Sequence, residues 1–235
     1  MKEIVKIGII IADEDEFLPL EKKAAELKAQ AIMLFGKKAL QFNVSGNGCE
    51  ALVTAILCGI GKVNAATAAA FLAANGYGII LNCGLSGGIS GVCRGEITIP
   101  NSFLEHDFDL TGIGYKPCEK PGQKYIYSAD SKLTEILNGI VHGAKNGTAV
   151  SGDCFVSNNE LRESLKNNFN AMSCDMETAA IASVCYAFGI RFAAVRKISD
   201  DAGADAAGDY RALNQLAEAD LTNILLLAIQ KIITA

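Results

Sequence analysis

The acidic segment around Glu177 is the part of this sequence best suited to chemistry. Within residues 173–182, Glu177 follows a methionine and precedes small residues that can begin a helix. A second acidic site follows residues 192–195, an apolar strand candidate that leads through Ser199 to Asp200. Two acidic sites that each adjoin a chain turn favour a polar pocket, because acid chemistry on a sugar-like ligand requires separate carboxyl groups in distinct environments.

Each chemistry-bearing segment also has a purely structural interpretation. Residues 13–16 are acidic, as is common in the first turn of a helix, where the helix dipole favours negative charge. Residues 59–62 (GIGK) lack the full phosphate-loop pattern GxxxxGK[ST] and predict a tight strand-to-helix turn. The glycines of residues 83–88 permit close packing of a helix on a sheet. The acidic positions 177 and 200 could cap helices. Each segment alone is weak evidence for function.

Strand patterns that alternate with helix patterns predict a single α/β domain over residues 1–235. The expected sheet is mixed and mostly parallel, and helices on both of its faces give three layers. Ligands bind such sheets at the carboxyl ends of the strands, where polar turns follow several predicted strands. The predicted strands are residues 5–12, 51–57, 79–82, 96–100, 147–150 and 192–198; the predicted helices are 17–28, 63–74, 133–141, 160–167, 178–188 and 210–233; residues 33–48 are a polar hairpin region and 103–123 an irregular stretch.

The composition excludes several classes of protein. A formal charge of -5 with scattered Lys and Arg is not typical of a nucleic-acid-binding protein. The longest apolar runs are too short to span a membrane, and the amino terminus lacks a signal-peptide pattern. The eight cysteines include no CxxC and there are two histidines, so we expect neither a disulfide framework nor a metal site. A cytoplasmic protein that contacts neither nucleic acid nor membrane is the expectation.

Seven motifs stand in a fixed order along nearly the whole chain. They are GIIIADEDE (8–16), GIGKV (59–63), NCGLSGG (82–88), HDFD (106–109) with GY (114–115), SGDCF (151–155), DME (175–177) and VRKISD (195–200). In this order they resemble the purine nucleoside phosphorylase superfamily and, within it, the 5'-methylthioadenosine/S-adenosylhomocysteine nucleosidases. The resemblance implies a nucleoside phosphorylase-like fold.

The resemblance also implies an activity, the hydrolysis of N-glycosidic bonds in adenine nucleosides that carry a 5'-thioether. By position in the motifs, Glu16 would orient and deprotonate water. Glu177 would hold the ribose hydroxyls and favour an oxocarbenium-like transition state. Asp200 would donate a proton to N7 of the departing adenine. No cofactor and no metal are implied, and the expected partner is a small adenine nucleoside.

The same resemblance assigns residues that bind the substrate. Phe155 and the backbone of Val156 would receive the base, and Met176 and Tyr210 would line the ribose and the thioether end. The other substrate-binding residues are Ile60, Leu85, Ser86, Gly87 and Ser199.

A homodimer is expected as well. In the family, the loop that corresponds to residues 105–123 lies at the subunit interface and reaches the neighbour's pocket. Ile113 and Tyr115 would form this cross-subunit part of the pocket. The apolar, Ala-rich helix candidate 63–74 fits either the dimer interface or the core of one subunit.

The chemistry of the residues agrees with these roles. Adenine departs poorly as an anion, so a protonated Asp200 beside N7 would assist the reaction, and partial burial should raise its pKa for that purpose. Attack by water from the opposite face needs a second carboxylate, Glu16, that is ionised and remote from the acid. In inverting glycosidases the two carboxyl groups lie about 6.5–9.5 Å apart, which leaves room for water.

Phosphorolysis is the alternative reaction inside the superfamily. A phosphate site is built from Arg guanidinium and Ser hydroxyl groups, and the turn at residues 82–88 contains no arginine. The four acidic residues 13–16 would repel phosphate, and Arg196 falls inside a predicted strand. Hydrolysis is therefore favoured, with a phosphorylase or a hydrolase of a different purine nucleoside as the alternative. A catalytically inactive nucleoside-binding protein is the alternative of another class.

Asp13 is the main departure from the family pattern. The family usually has methionine at this position, next to the ribose and base. An additional carboxylate directed into the pocket would change its polarity and the neighbouring pKa values, and would favour a more polar nucleoside. A carboxylate that only caps the following helix would have no such effect. Both interpretations are compatible with the sequence.

Overall fold

One mixed sheet joins the strands of the protein. The computed structural model describes residues 4–213 and 218–234, and within these ranges the sheet contains eleven strands. The strands are β1 (Val5–Ile11), β2 (Gln30–Leu34), β3 (Lys37–Gly46), β4 (Cys49–Leu57), β5 (Ile79–Gly88), β6 (Ile97–Thr98), β7 (Ser102–Glu105), β8 (Ile126–Ser128), β9 (Thr148–Ser151), β10 (Ala171–Asp175) and β11 (Arg191–Asp200).

The centre of the sheet is parallel. Strands follow the order β2-β3-β4-β1-β5-β10-β9-β7-β8, and β11 pairs with the other side of β5. The neighbours β4, β1, β5 and β11 run parallel, as do β7, β9 and β10. β5 meets β10 in antiparallel orientation through a short pairing at Gly87 and Gly88. The long strand β5 therefore connects the two parallel parts of the sheet.

Helices cover both faces of the sheet, as the alternating pattern predicts. They are α1 (Glu14–Lys22), α2 (Lys62–Ala74), α3 (Ser131–Asn138), α4 (Asn159–Phe169), α5 (Thr178–Phe188), α6 (Ala206–Leu213) and α7 (Glu218–Thr234). Alternate residues of β1 point to opposite faces. Ile7 and Ile9 pack with apolar residues of α1, α3 and α7, whereas Ile10 packs with α2 and α5. The predicted three-layer fold class is confirmed.

Several element boundaries differ from the sequence prediction. The helix predicted at 17–28 begins at Glu14, because Asp13 caps it, and ends at Lys22. The strand predicted at 79–82 continues to Gly88, because its glycines still pair with β11. The helix predicted at 210–233 is represented by α6 and α7, and residues 214–217 lie outside the described residues.

Three strands were not predicted separately. β7 overlaps the stretch 103–123 that was expected to be irregular, and β8 lies just beyond it. All five residues of β10 are buried, and their sequence has no distinctive strand pattern. Within the described ranges, no helix has both the length and the apolar character needed to cross a bilayer.

Candidate active site

A cavity of about 380 Å³ opens at the carboxyl ends of β1, β4, β5, β9, β10 and β11. This is the edge at which ligands bind open α/β sheets. Its lining residues are Ala12, Asp13, Glu16, Ile60, Leu85, Ser86, Gly87, Cys154, Phe155, Val156, Cys174, Asp175, Met176, Glu177, Ser199, Asp200 and Tyr210. The cavity brings together the three carboxylates singled out in the sequence and all nine residues expected to bind the substrate within one subunit.

Glu16 is a buried carboxylate in the first turn of α1. Its Oε1 accepts a hydrogen bond of 2.7 Å from the backbone N–H of Leu85, and its Oε2 is buried without a hydrogen-bond partner. Burial raises the pKa of Glu16 to about 8, although the Arg196 guanidinium and the Leu85 N–H both act in the opposite direction. The neutral form therefore predominates at pH 7, in contrast to the ionised carboxylate that the sequence argument requires.

Glu177 lies between β10 and α5. Its Oε1 accepts a hydrogen bond of 2.9 Å from the N–H of Gly61, and its Oε2 is 3.8 Å from Nη2 of Arg196. Burial raises the pKa of Glu177, and the nearby Asp175 carboxylate acts in the same direction, while Arg196 opposes both. Gly61 lies in the turn between β4 and α2, and its N–H fixes the direction of the Glu177 side chain.

Asp175 and Arg196 form a buried ion pair behind Glu177. Nη2 of Arg196 lies 3.3 Å from Oδ2 of Asp175, and the Arg196 side chain is 1% exposed. The N–H groups of Glu177 and Thr178 each donate to Oδ1 of Asp175 at 3.0 Å. Burial opposes ionisation of Asp175, but Arg196 and the hydrogen bonds from Ser151 and Thr178 outweigh it and lower its pKa. The pair fixes the turn that presents Glu177.

Asp200 occupies the end of β11 and is 2% exposed. The hydroxyl of Ser199 donates to its Oδ2 at 2.6 Å, and the N–H of Ala202 donates to its Oδ1 at 2.8 Å. Burial raises the pKa of Asp200, and the carboxylates of Asp201 and Asp209 add to the effect, against the hydrogen bonds from Ser199 and Ala202. A raised pKa is the property that a proton donor near neutral pH needs.

Glu16 and Asp200 contact different parts of β5. The oxygens of Glu16 lie over Gly84, whereas Oδ1 of Asp200 lies over Gly87, three residues further along the strand. At the rise per residue of a β-strand this offset is on the order of 10 Å.

Asp13 combines both interpretations that the sequence left open. It caps α1, since its Oδ1 accepts a hydrogen bond of 2.9 Å from the N–H of Asp15. It also lines the cavity, and its charge is among the causes that raise the pKa of Glu16 and of Tyr210. Together with Glu16, Asp175, Glu177 and Asp200, it makes five carboxylates along the cavity.

The residues expected to act across a subunit boundary lie elsewhere on this protomer. Ile113 ends a 3-10 turn in the segment between β7 and β8 and is 71% exposed, and Tyr115 follows it, also exposed. Neither residue lines the cavity of its own subunit. Their exposure leaves apolar surface on this loop.

Sequence reasoning missed several residues at this site. Arg196 was regarded only as part of a strand, yet its guanidinium lies beside Asp175 and Glu177 at the base of the cavity. The available indication was an arginine directly after the apolar run 192–195, because a buried cation requires partners. Cys154 and Cys174 also line the cavity, and no pattern in the sequence distinguished them. In the described parts of the chain, no group of three or more His, Cys, Asp and Glu side chains could hold a metal ion.

Comparison with known proteins agrees with this geometry. The family model described as the phosphorylase superfamily matches residues 6–230. A 5'-methylthioadenosine/S-adenosylhomocysteine nucleosidase of Staphylococcus carnosus is 35% identical over 208 residues, which cover 85% of this chain and 88% of the relative. One from Halalkalibacterium halodurans is 32% identical over 230 residues, covering 95% and 97%.

A solved structure of such a nucleosidase also matches the fold of this chain. The S-adenosylhomocysteine nucleosidase of Streptococcus pyogenes, in complex with 5-methylthiotubericidin, matches with a TM-score of 0.87 and 27% identity over 98% of both chains. The arrangement of sheet and helices is thus that of a nucleoside phosphorylase-like fold. Within the phosphorylase superfamily, the chain belongs to the 5'-methylthioadenosine/S-adenosylhomocysteine nucleosidase family. The resemblance noted in the sequence is confirmed.

Proposed function

We propose that this protein hydrolyses the N-glycosidic bond of 5'-thioadenosine nucleosides, methylthioadenosine and S-adenosylhomocysteine, and releases adenine. Membership of the nucleosidase family supports the reaction. The observation that carries it is the placement of three buried carboxyl groups, Glu16, Glu177 and Asp200, around one cavity. All three have raised pKa values, and Glu16 and Asp200 contact different parts of β5, which separates the proposed base from the proposed acid.

Asp200 is the proposed general acid. Its proton passes to N7 of the purine as the bond between C1' and N9 breaks, and the bonding electron pair leaves with the base. A positioned general acid contributes on the order of 10²–10⁴-fold to such a step. Phe155 and Val156, which follow β9, lie on the wall where the base would bind, and Ser199 orients the acid.

Glu16 and Glu177 act on the ribose side. Glu177 accepts hydrogen bonds from the ribose hydroxyls and stabilises positive charge that develops on the sugar. Glu16 in its ionised form removes a proton from the water molecule that attacks C1'. Arg196 supports this form, because its guanidinium lowers the pKa of Glu16. The products are neutral adenine and a reducing 5-thioribose.

The charges around the cavity favour water over phosphate. Asp13, Glu16 and Glu177 all line the cavity. The guanidinium of Arg196 acts on Glu16 and Glu177, and its charge is already balanced by Asp175 at 3.3 Å. A phosphate dianion needs an unpaired guanidinium or an equivalent set of donors, so phosphorolysis is disfavoured.

The test is release of adenine from methylthioadenosine by the purified protein, with and without phosphate. We expect adenine and free thioribose at equal rates in both conditions. A requirement for phosphate, with formation of a ribose 1-phosphate, would contradict hydrolysis. Glu177→Gln and Asp200→Asn should each lower kcat by about two orders of magnitude or more while circular dichroism stays unchanged. Glu14→Gln, an exposed carboxylate of the same α1 turn, is the control and should keep full activity.

Asp13 supports a second candidate, a hydrolase for a more polar purine nucleoside. Its carboxylate lines the cavity, and a substituent with a hydrogen-bond donor could contact it. The same assay on a set of purine nucleosides decides the question, since a kcat/KM that is higher for a polar analogue than for methylthioadenosine would favour this candidate. Binding of adenine without turnover of any nucleoside would instead indicate an inactive binding protein.

We further propose a homodimer in the cytoplasm. The exposed Ile113 and Tyr115 would complete the partner's pocket from the loop after β7. The exposed Val63 at the start of α2 would be buried in the same interface. All eight cysteines lie in the described ranges as free thiols, which agrees with a reducing compartment.

A further inference from the structure

A set of charged residues outside the cavity joins two of the loops that form it. Lys62 begins α2, Asp107 follows β7 and Asp153 follows β9; these three residues are named the loop clamp here. Nζ of Lys62 lies 2.6 Å from Oδ1 of Asp107, and the N–H of Asp153 donates to Oδ2 of Asp107 at 2.9 Å. Oδ1 of Asp153 in turn accepts from the N–H of Lys62 at 2.8 Å. The contacts form a closed ring.

The loop clamp is partly removed from water and well supplied with partners. The side chain of Lys62 is 17% exposed, and its Nζ also contacts Oε2 of Glu105 at 3.1 Å. Burial disfavours the charge on Lys62, but hydrogen bonds to Asp107 and Glu105 outweigh it and raise its pKa. Burial likewise opposes the charge on Asp107, and Lys62 with the Asp153 N–H lowers its pKa. Both groups therefore stay charged.

The position of Lys62 is not explained by the stability of α2. A cation in the first turn of a helix opposes the helix dipole, and α2 has no acidic residue there. Gly61, the residue before it, has no side chain to cap the helix, so Asp153 caps α2 from another loop. The Lys62 cation is thus unfavourable for α2 alone. It is stabilised by its contacts with the loops after β7 and β9.

Both ends of the loop clamp continue directly into the cavity. Gly61 precedes Lys62 and donates its N–H to Glu177 at 2.9 Å. Gly61 has φ +100, which other residues rarely adopt. On the other side, Asp153 precedes Phe155 and Val156 on the base side of the cavity.

We propose that Lys62 and Asp107 are positioning residues that fix the distance between the Glu177 side and the base side of the cavity. The inference rests on the proposed nucleosidase activity. Neither residue lines the cavity, so both act through Gly61 and Asp153. A displacement of about 1 Å in a reacting group can cost on the order of 10²-fold in rate. An ion pair that holds two loops together therefore affects catalysis more than stability.

The experiment compares Lys62→Met, Lys62→Arg and Asp107→Asn with the wild type. We expect Lys62→Met to lower kcat/KM for methylthioadenosine by about 10- to 100-fold and to weaken adenine binding in calorimetry. Lys62→Arg keeps the charge and should lie within about threefold of the wild type. Asp107→Asn retains an acceptor for the N–H of Asp153 and should show an intermediate loss of kcat/KM. This variant keeps the test available if Lys62→Met does not fold.

The matched control is Arg191→Met. It removes another partly exposed ion pair, from Arg191 Nε to Asp130 Oδ2 at 3.0 Å, at residues that do not line the cavity. This variant should lose thermal stability and keep its kinetics. If Lys62→Met lowers Tm as Arg191→Met does but leaves kcat/KM and adenine binding unchanged, the loop clamp has only a structural role and the inference is wrong. Absence of turnover in the wild type would instead contradict the proposed function, and adenine binding would still test the loop clamp.

Discussion

At the scale of single residues, the protonation of Glu16 determines what the site can do. The base must be ionised to accept a proton from water, yet burial raises the pKa of Glu16 to about 8. Activity should therefore rise with pH until this carboxyl group ionises. Asp200, with a raised pKa, must remain protonated over the same range. The two requirements predict a bell-shaped dependence of kcat/KM on pH.

Substitution of Asp13 by Asn tests the origin of the acidic limb of that profile. Asn caps a helix as well as Asp does, so α1 should be retained. Loss of the negative charge removes one cause of the raised pKa of Glu16, and the acidic limb of kcat/KM should move to lower pH. The measurement is the pH dependence of kcat/KM for methylthioadenosine. Glu14→Gln should leave the limb in place, and a limb that moves to higher pH in Asp13→Asn would contradict the assignment.

The sequence identified the acidic residues of the site but not their partners. Glu16, Glu177 and Asp200 were recognisable because each belongs to a motif, and Glu16 and Asp200 also follow predicted strands. Arg196 was not, because an arginine in a strand can also point to solvent. Its role depends on Asp175, which is 21 positions earlier in the chain and reaches it only through the pairing of β5 with both of their strands.

At the scale of elements, the middle of β5 permits Glu16 and Arg196 to approach the strand closely at Gly84. A Cβ atom on Gly84 would lie 2.4 Å from Nη1 of Arg196 and 2.8 Å from Oε2 of Glu16. Both distances are shorter than van der Waals contact, so the two side chains approach β5 only because no side chain is present at position 84.

Gly84→Ala should therefore displace both groups. We expect kcat/KM to fall by about 100-fold and the free energy of unfolding by about 1–3 kcal/mol. Steady-state kinetics and urea unfolding measure the two effects. Gly78→Ala, just before the same strand, has no atom within 4 Å of the new Cβ and should behave as the wild type. Retention of activity within about threefold in Gly84→Ala would show that Glu16 and Arg196 need not occupy these positions.

The elements themselves were predictable to different extents. The bounds of α5, Thr178–Phe188, were correct because a small apolar run begins after an acidic turn and ends at a glycine. The second half of β5 was not predicted, since glycine disfavours strands in general and is tolerated here by tertiary pairing with β11. Local propensity gave no indication of the antiparallel contact between β5 and β10, which joins segments distant in sequence.

At the scale of the whole molecule, the burial of Glu16 couples stability to pH. A carboxyl group whose pKa is raised from 4.5 to about 8 binds a proton more tightly in the folded state than in the unfolded state. Its contribution to stability is complete below about pH 4.5 and is lost as the pH rises through about 8. The protein should consequently lose stability on the alkaline side because of this residue.

Glu16→Gln should remove that part of the pH dependence. Relative to the wild type, the variant should gain on the order of 4 kcal/mol in free energy of unfolding between pH 5 and pH 9, since each pKa unit corresponds to about 1.4 kcal/mol. Urea unfolding of both proteins at pH 5, 7 and 9 measures the difference, and other titrating groups cancel in the comparison. Parallel curves for the two proteins would show that Glu16 ionises in the folded state as it does in water.

The site depends on contacts between residues far apart in the chain, and this determines when it can form during folding. The hydrogen bond from Gly61 to Glu177 closes 116 residues of chain, and that from Arg196 to the carbonyl of Leu85 closes 111. Such long-range contacts form late and slow the folding of a domain. A chain still missing β11 on the ribosome has the nucleoside-facing strands β1 and β5 but neither Arg196 nor Asp200. Recovery of adenine release after dilution from denaturant should therefore report the last step of folding, because the final parallel strand completes sheet and site together.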